Sequence, residues 1–302
     1  MAQIARSPLA WLLALCLFLV AAEALRAQED LAGGANREDI AGGAAEDDER
    51  PSNPPVSSRS KPKQPKPKTT TKTTPKVDVS EQVEDALQEG NMARDARNYA
   101  EAESKYRQAM KLNAKESRAY EGLGNVYFDQ KKFAEAVEQY KRAVALKPDD
   151  ARLHLALGKA YARSGQLEQS MQALQQAAKL KPDLAEAYFG MGRIHSIQGQ
   201  LMKAAEYYQT AIRYRRDFVA AYNNLGLTYR RLRRFRDAVE PLKQAINYDR
   251  NFAPAHFNLA LVYNALGERD AAQEQLRILR TLDAQRADRA AAMMANRRGR
   301  GQ

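Results

Sequence analysis

The apolar positions of this chain recur at helical spacing, and the same spacing recurs at a longer interval. Tyr120, Leu123, Gly124 and Tyr127 stand at i, i+3, i+4 and i+7, one face of a helix. Ala136, Tyr140 and Ala143 mark a second helix face, and the polar run Asp129-Gln130-Lys131-Lys132 between them makes a turn. Pro148 ends the second helix, because proline disfavours helix in the residue before it. The unit then repeats. Gly90, Gly124, Gly158, Gly192 and Gly226 are each 34 residues apart. Ala102, Ala136, Ser170, Ala204, Ala238 and Ala272 keep the same step, as do Tyr106, Tyr140, Leu174, Tyr208, Leu242 and Leu276. Small residues recur where helices cross closely, and large ones where space must be filled.

A helix–turn–helix unit of this length, carrying Tyr120, Leu123, Gly124, Tyr127, Ala136, Tyr140, Ala143 and Pro148, resembles the tetratricopeptide repeat (TPR). Six copies fit without insertion, at 83–116, 117–150, 151–184, 185–218, 219–252 and 253–286. The first copy has Ala86 and Glu89 for the early aromatic and leucine, and the sixth has Ala260 and Leu279 for the glycine and alanine. Pro241 lies within the second helix of the fifth copy and should bend it. The resemblance implies an all-α, right-handed α-solenoid whose first helices line a groove for an extended or helical peptide. Residues 287–302 are expected to form a capping helix and a basic tail.

Ahead of the repeats the pattern changes. Leu9–Ala22 is an unbroken apolar run of 14 residues after Arg6, and Ala22-Glu23-Ala24 supplies a small-x-small cleavage pattern. Residues 1–24 therefore read as a secretory signal, with cleavage as late as residue 27 as an option and an uncleaved membrane anchor as the alternative. Such a run spans only ~21 Å as a helix, short of a ~30 Å hydrocarbon core. Residues 25–79 are an acidic stretch followed by the basic, proline-rich Lys61–Lys68 and a threonine run. They have few large apolar residues, so a disordered linker is expected. Ser80 reads as the N-cap at which the folded part begins.

Composition removes several chemistries. Cys16, the only cysteine, lies in the apolar run, so a mature chain would have no thiol. There is no Asn-x-Ser/Thr acceptor. Together with the signal these features lean toward a bacterial periplasm or cell envelope. His154 and His256 occupy a column held elsewhere by Tyr120, Tyr188 and Tyr222, and His195 occupies that of Tyr127. All three read as packing residues, no two at ligand spacing on one helix. No phosphate loop, nucleophile elbow or zinc signature occurs, so neither an enzyme nor a metal or other cofactor is expected.

The net charge is +11. Mapped onto the implied groove, it falls on Arg118, Arg152, Lys159, Arg163, Arg193, Arg230 and Arg231, with Leu155, Phe189 and Phe257 interspersed. Asn224 and Asn258 resemble part of an asparagine ladder that binds peptide backbone in some arrays of the family, whereas Gly122, Ala156 and Gly190 do not continue it. These residues favour a protein or peptide ligand with an acidic segment. The alternatives are binding of anionic polymer, cell wall or membrane surface through the Lys/Pro-rich linker and the cluster Tyr229–Arg236, or service as a regulatory subunit of an envelope enzyme or secretion complex. A secretory signal argues against nucleic acid.

Overall fold

The computed structural model describes residues 78–298, so the expected signal segment, most of the linker and the end of the basic tail lie outside the described residues. Among the described residues there are thirteen helices and no strand. They run α1 Val79–Asp95, α2 Tyr99–Leu112, α3 Ser117–Asp129, α4 Phe133–Leu146, α5 Ala151–Arg163, α6 Leu167–Leu180 and α7 Ala185–Ile197. There follow α8 Leu201–Tyr214, α9 Val219–Arg231, α10 Phe235–Tyr248, α11 Ala253–Leu266, α12 Arg269–Leu282 and α13 Ala284–Arg298. The first helix starts earlier than Ser80: Asp78 is its cap, accepting a hydrogen bond from the Ser80 N–H at 3.0 Å.

The two helices of each repeat are joined by a short turn, three residues in the first five copies and two in the sixth. One of its residues has positive φ in all six copies: Arg97, Lys131, Gly165, Gly199, Arg233 and Gly267. The residue after it donates its N–H to a carbonyl five residues back, as Lys132 does to Tyr127 O at 2.8 Å and Gln166 to Tyr161 O at 2.9 Å. This is the hydrogen bond that satisfies an orphan carbonyl at a helix end. The same residue then opens the second helix, for its carbonyl accepts from the residue four further on, as Lys132 O does from Ala136 N.

The longer connection between repeats is pinned by the first helix of the next copy. Tyr120 Oη donates to Ala114 O at 3.2 Å and Tyr188 Oη to Pro182 O at 3.0 Å. His154 Nε2 meets Pro148 O at 2.9 Å and His256 Nε2 meets Arg250 O at 3.0 Å. A carbonyl only accepts, so both imidazoles carry their proton on Nε2 here. Histidine and tyrosine alternate in this column because either can place a donor over that carbonyl.

The chain forms two compact bodies that divide within α9, between Ala221 and Tyr222. In the body spanning 78–221, the large residue of each second helix wedges against the glycine of its own repeat, and Tyr106 and Leu174 meet a glycine of the next repeat as well. A Cβ on Gly90 would stand 2.9 Å from the Tyr106 ring, and one on Gly122, in the next repeat, would clash with the same ring. Leu174 lies likewise against Gly158 and Gly190. Around these wedges Ala102, Ala136, Ala109, Ala143, Ala177, Ala204 and Ala211 are fully buried. Ser170 takes the alanine's place and satisfies its hydroxyl on Gly158 O at 2.7 Å.

In the body spanning 222–298, Leu242 packs against Gly226, and α13 lies on α11 and α12, burying Ala287, Ala290 and Met294. Helix α10 runs unbroken through Pro241. At the alanine position of the sixth copy Leu279 is fully buried.

Candidate partner-binding face

In the 78–221 body the face made by α1, α3, α5 and α7 carries most of the residues singled out in the sequence. Two tyrosines set its floor. Tyr106 Oη donates to Asn91 Oδ1 at 2.7 Å, and Tyr140 Oη to Asn125 Oδ1 at 2.6 Å. Both rings come from second helices and reach through the glycine gap to the opposite face. Burial pushes the Tyr106 hydroxyl up to about 12 and raises Tyr140 further, so both remain donors. The bond fixes each asparagine by its oxygen and leaves its NH2 for other partners.

Most cations of this face are already matched within the chain. Arg118 binds Glu84, 34 residues earlier, at 2.5 Å, and Glu116 at 2.8 Å. Those bonds hold its guanidinium protonated and lower the Glu84 carboxyl. Arg94 reaches into the next repeat to Asp129 at 2.6 Å. Burial pulls its pKa down, but the bond to Asp129 outweighs that and raises it. Arg152 contacts Asp150 at 3.0 Å, while Asp150 also caps α5 through the Arg152 N–H. Even so, the Arg152 side chain is 75% exposed. Arg163 lies 4.6 Å from the Phe133 ring centroid, and Arg193 lies 6.0 Å from that of Phe189. Lys159 differs from these: it is exposed and makes no hydrogen bond or ion pair among the described residues. Half-buried Leu155 lies one turn before it on α5.

Phe189 is a correction to the expected groove surface. It is only 5% exposed, packed 5.7 Å from Tyr208 and 4.8 Å from Phe218 by ring centroids. The loop aromatic Phe218, with Arg215 stacked 3.7 Å above it, covers the ring.

A residue that the sequence reading passed over is Glu121. It is half-buried on α3, between Leu87 and Leu155 in its column, and it has no hydrogen bond or ion pair among the described residues. Burial raises its pKa, and the nearby Arg152 opposes the shift. The signal available in the sequence was one acid in a column that is apolar at Leu87, Leu155, Phe189 and Phe257 and otherwise holds only Asn223.

The 222–298 body holds the remaining expected residues. Asn224 and Asn258 are buried rather than presented. Asn258 Nδ2 donates to Asn223 Oδ1 at 3.0 Å, and Asn223 Nδ2 to Asn224 Oδ1 at 3.3 Å, so the amides link α11 to α9. Arg230 and Arg231 are half-buried on α9. A cavity of about 300 Å³ is lined by α10, α11 and α12, including Lys243, His256, Tyr263 and Gln275. His256 is held at both ring nitrogens, by Arg250 O and by Gln275 at 2.8 Å. Among the described residues no group of three His, Cys, Asp or Glu is placed to hold a metal ion.

Comparison with known proteins gives a consistent fold. Residues 21–295 match the family described as the cilia and flagella-associated protein 70 C-terminal domain. No curated protein matches the sequence significantly. Among solved structures, Pseudomonas aeruginosa PilF has a TM-score of 0.63 at 18% identity, covering 71% of this chain and 98% of that one. PilW, titled a widely conserved type IV pilus biogenesis factor, has a TM-score of 0.61 at 22% identity, covering 66% and 92%. A MamA protein has a TM-score of 0.51 at 26% identity, covering 58% and 95%. The first two show likeness of fold alone.

Proposed function

The chain belongs to the family of the cilia and flagella-associated protein 70 C-terminal domain, a TPR family, and on that premise we propose that it captures an acidic segment of a partner protein on the first-helix face of its 78–221 body. The fold is that of a protein–protein interaction scaffold. The observation that carries the finer reading is Lys159, an exposed ammonium without a partner among the described residues, one turn from Leu155 and two turns from the largely exposed Arg152. Carboxylates of the ligand pair with Lys159 and with Arg152, two helical turns apart, while an apolar side chain between them covers Leu155. The asparagines fixed by Tyr106 and Tyr140 offer NH2 donors to main-chain carbonyls of the same segment. The two asparagines are held before the ligand arrives, so little ordering entropy is lost at those positions on binding. The proposal includes no catalytic step and no cofactor.

Export to a cell envelope is part of the proposal, supported by the apolar run Leu9–Ala22 and the pattern Ala22-Glu23-Ala24. N-terminal sequencing of the protein from fractionated cells tests it. A start near residue 25 in the exported fraction supports it, and an intact Met1 in the cytosol overturns it.

Lys159→Glu and Arg152→Glu in the full chain test the binding face. Loss of specific partners in crosslinking and pull-down, with helicity by circular dichroism unchanged, is the expected outcome. Unchanged capture by the folded double variant sinks the reading.

A further inference from the structure

Among the described carboxylates of the 78–221 body, Glu121 is the half-buried one that makes no hydrogen bond or ion pair. Arg94 is bonded to Asp129, and Arg152, though largely exposed, to Asp150 rather than to Glu121. Arg118 is held between Glu84 and Glu116. Glu121, half-buried among them, has only through-space neighbours: Arg152, Asp150, Lys147 and Arg94. An ionised carboxylate withdrawn from water without a hydrogen-bond partner costs free energy, which the through-space attraction of Arg152, Lys147 and Arg94 returns only in part, since the net shift is upward. Glu121 also lies on the face that displays the NH2 groups of Asn91 and Asn125, where a bound segment would run.

We propose that Glu121 is a subsite for a lysine or arginine side chain of the captured segment, so that the ligand is bipolar rather than simply acidic. This rests on the reading of the first-helix face as the binding face. Glu121 and Leu155 occupy equivalent positions of successive repeats, and Lys159 is one helical turn beyond Leu155. The two positions lie on the first helices of neighbouring repeats, about one helix diameter apart, which places the two charges on the order of 10 Å from each other, about three residues of extended chain. The ligand class is therefore an extended segment with a basic residue about three positions from an acidic one and an apolar side chain between them over Leu155. A purely acidic segment leaves Glu121 unmatched and adds a repelling carboxylate beside it. Glu121 thereby selects against ligands that Lys159 alone would accept.

The test is selection from a random heptapeptide array, acetylated at the N-terminus so that only side chains supply cations. The full-length wild type is compared with Glu121→Gln and Lys159→Glu, each confirmed folded by circular dichroism. The wild type is expected to enrich peptides with a basic and an acidic residue about three apart. Glu121→Gln should lose the basic preference by fivefold or more and keep the acidic one. Lys159→Glu should do the reverse. A basic preference that is absent from the wild type, or unchanged in Glu121→Gln, overturns the bipolar ligand while an acidic preference lost in Lys159→Glu leaves the binding face standing. If no peptide is enriched, or Lys159→Glu changes nothing, the binding face itself is wrong and the subsite falls with it.

Discussion

The ring of Tyr106 fills the space that a side chain on Gly122 would need, although the two residues belong to different repeats. The ring has little room to yield, because Gly90 packs against it as well, so closely that a Cβ there would stand 2.9 Å from the ring. The periodic glycine thus admits the ring within a repeat, and the off-period glycine admits it across the joint.

Gly122→Ala should therefore destabilise the protein by about 1–3 kcal/mol, the usual range for overpacking a filled core. The check is urea denaturation, with Tyr106→Leu as the second arm of a double-mutant cycle. The smaller side chain should absorb part of the added methyl, so the double variant should be less damaged than the sum of the singles. Additive losses would mean that the ring is not what Gly122 accommodates.

Much of this was legible in the sequence, because packing in a repeat array is periodic. The glycine, alanine and tyrosine columns named the core, and they placed all three histidines at tyrosine positions before any contact was known. Contacts that depend on a neighbour outside the column were not legible. Phe189 looked like groove surface because its cover, Phe218, stands in the connection between repeats, where the column turns apolar only at Leu184, Phe218 and Phe252. Arg118 could have been paired on paper, since Glu84 is one period away, whereas Arg94 finds Asp129 at an interval of 35 residues. Asp78 hid as the cap because Ser80, two residues on, has equally good capping chemistry.

The turn column was hidden for a different reason. Lys131 and Gly165 occupy equivalent left-handed positions with φ of 61° and 83°, but only one of them is glycine. A side chain in that region costs about 1–2 kcal/mol, against about 0.5–1 kcal/mol for the flexibility glycine brings to the unfolded chain. Lys131→Gly should stabilise by about 0.5–1 kcal/mol. Gly165→Ala should destabilise by a similar amount, even though a Cβ there meets nothing within 4 Å. Chemical denaturation of the two variants checks the opposite signs. Two changes of the same sign would remove the conformational explanation.

The pair Tyr140 and Asn125 should behave as a unit. Tyr140→Phe strands the half-buried Asn125 oxygen and should cost about 1–2 kcal/mol. The fifth and sixth repeats use leucine at both positions, Leu227 with Leu242 and Leu261 with Leu276. Replacing both residues, Tyr140→Leu with Asn125→Leu, should recover part of the loss. Thermal melts of the singles and the double read the coupling. No recovery would show that the hydroxyl matters through the ring's packing and not through the asparagine.

Glu121 gives the pH prediction. Burial raises its pKa in the folded chain above the ordinary value of 4.5, so the folded state holds the proton more tightly than the unfolded state does. Stability then falls as pH rises from that ordinary value through the raised folded value, and the full cost of the charge is present at neutral pH. Glu121→Gln removes the ionisation. The variant should melt higher than the wild type at pH 7, and the difference should shrink to nothing below the ordinary carboxylate value. Other acids titrate in both proteins and cancel in the comparison. A variant less stable at pH 7 would mean that the carboxylate is matched in the free protein, and the case for a ligand cation at that position would lose its physical basis. A variant both more stable and poorer at selecting basic peptides is what a binding residue kept at a cost to the fold should yield.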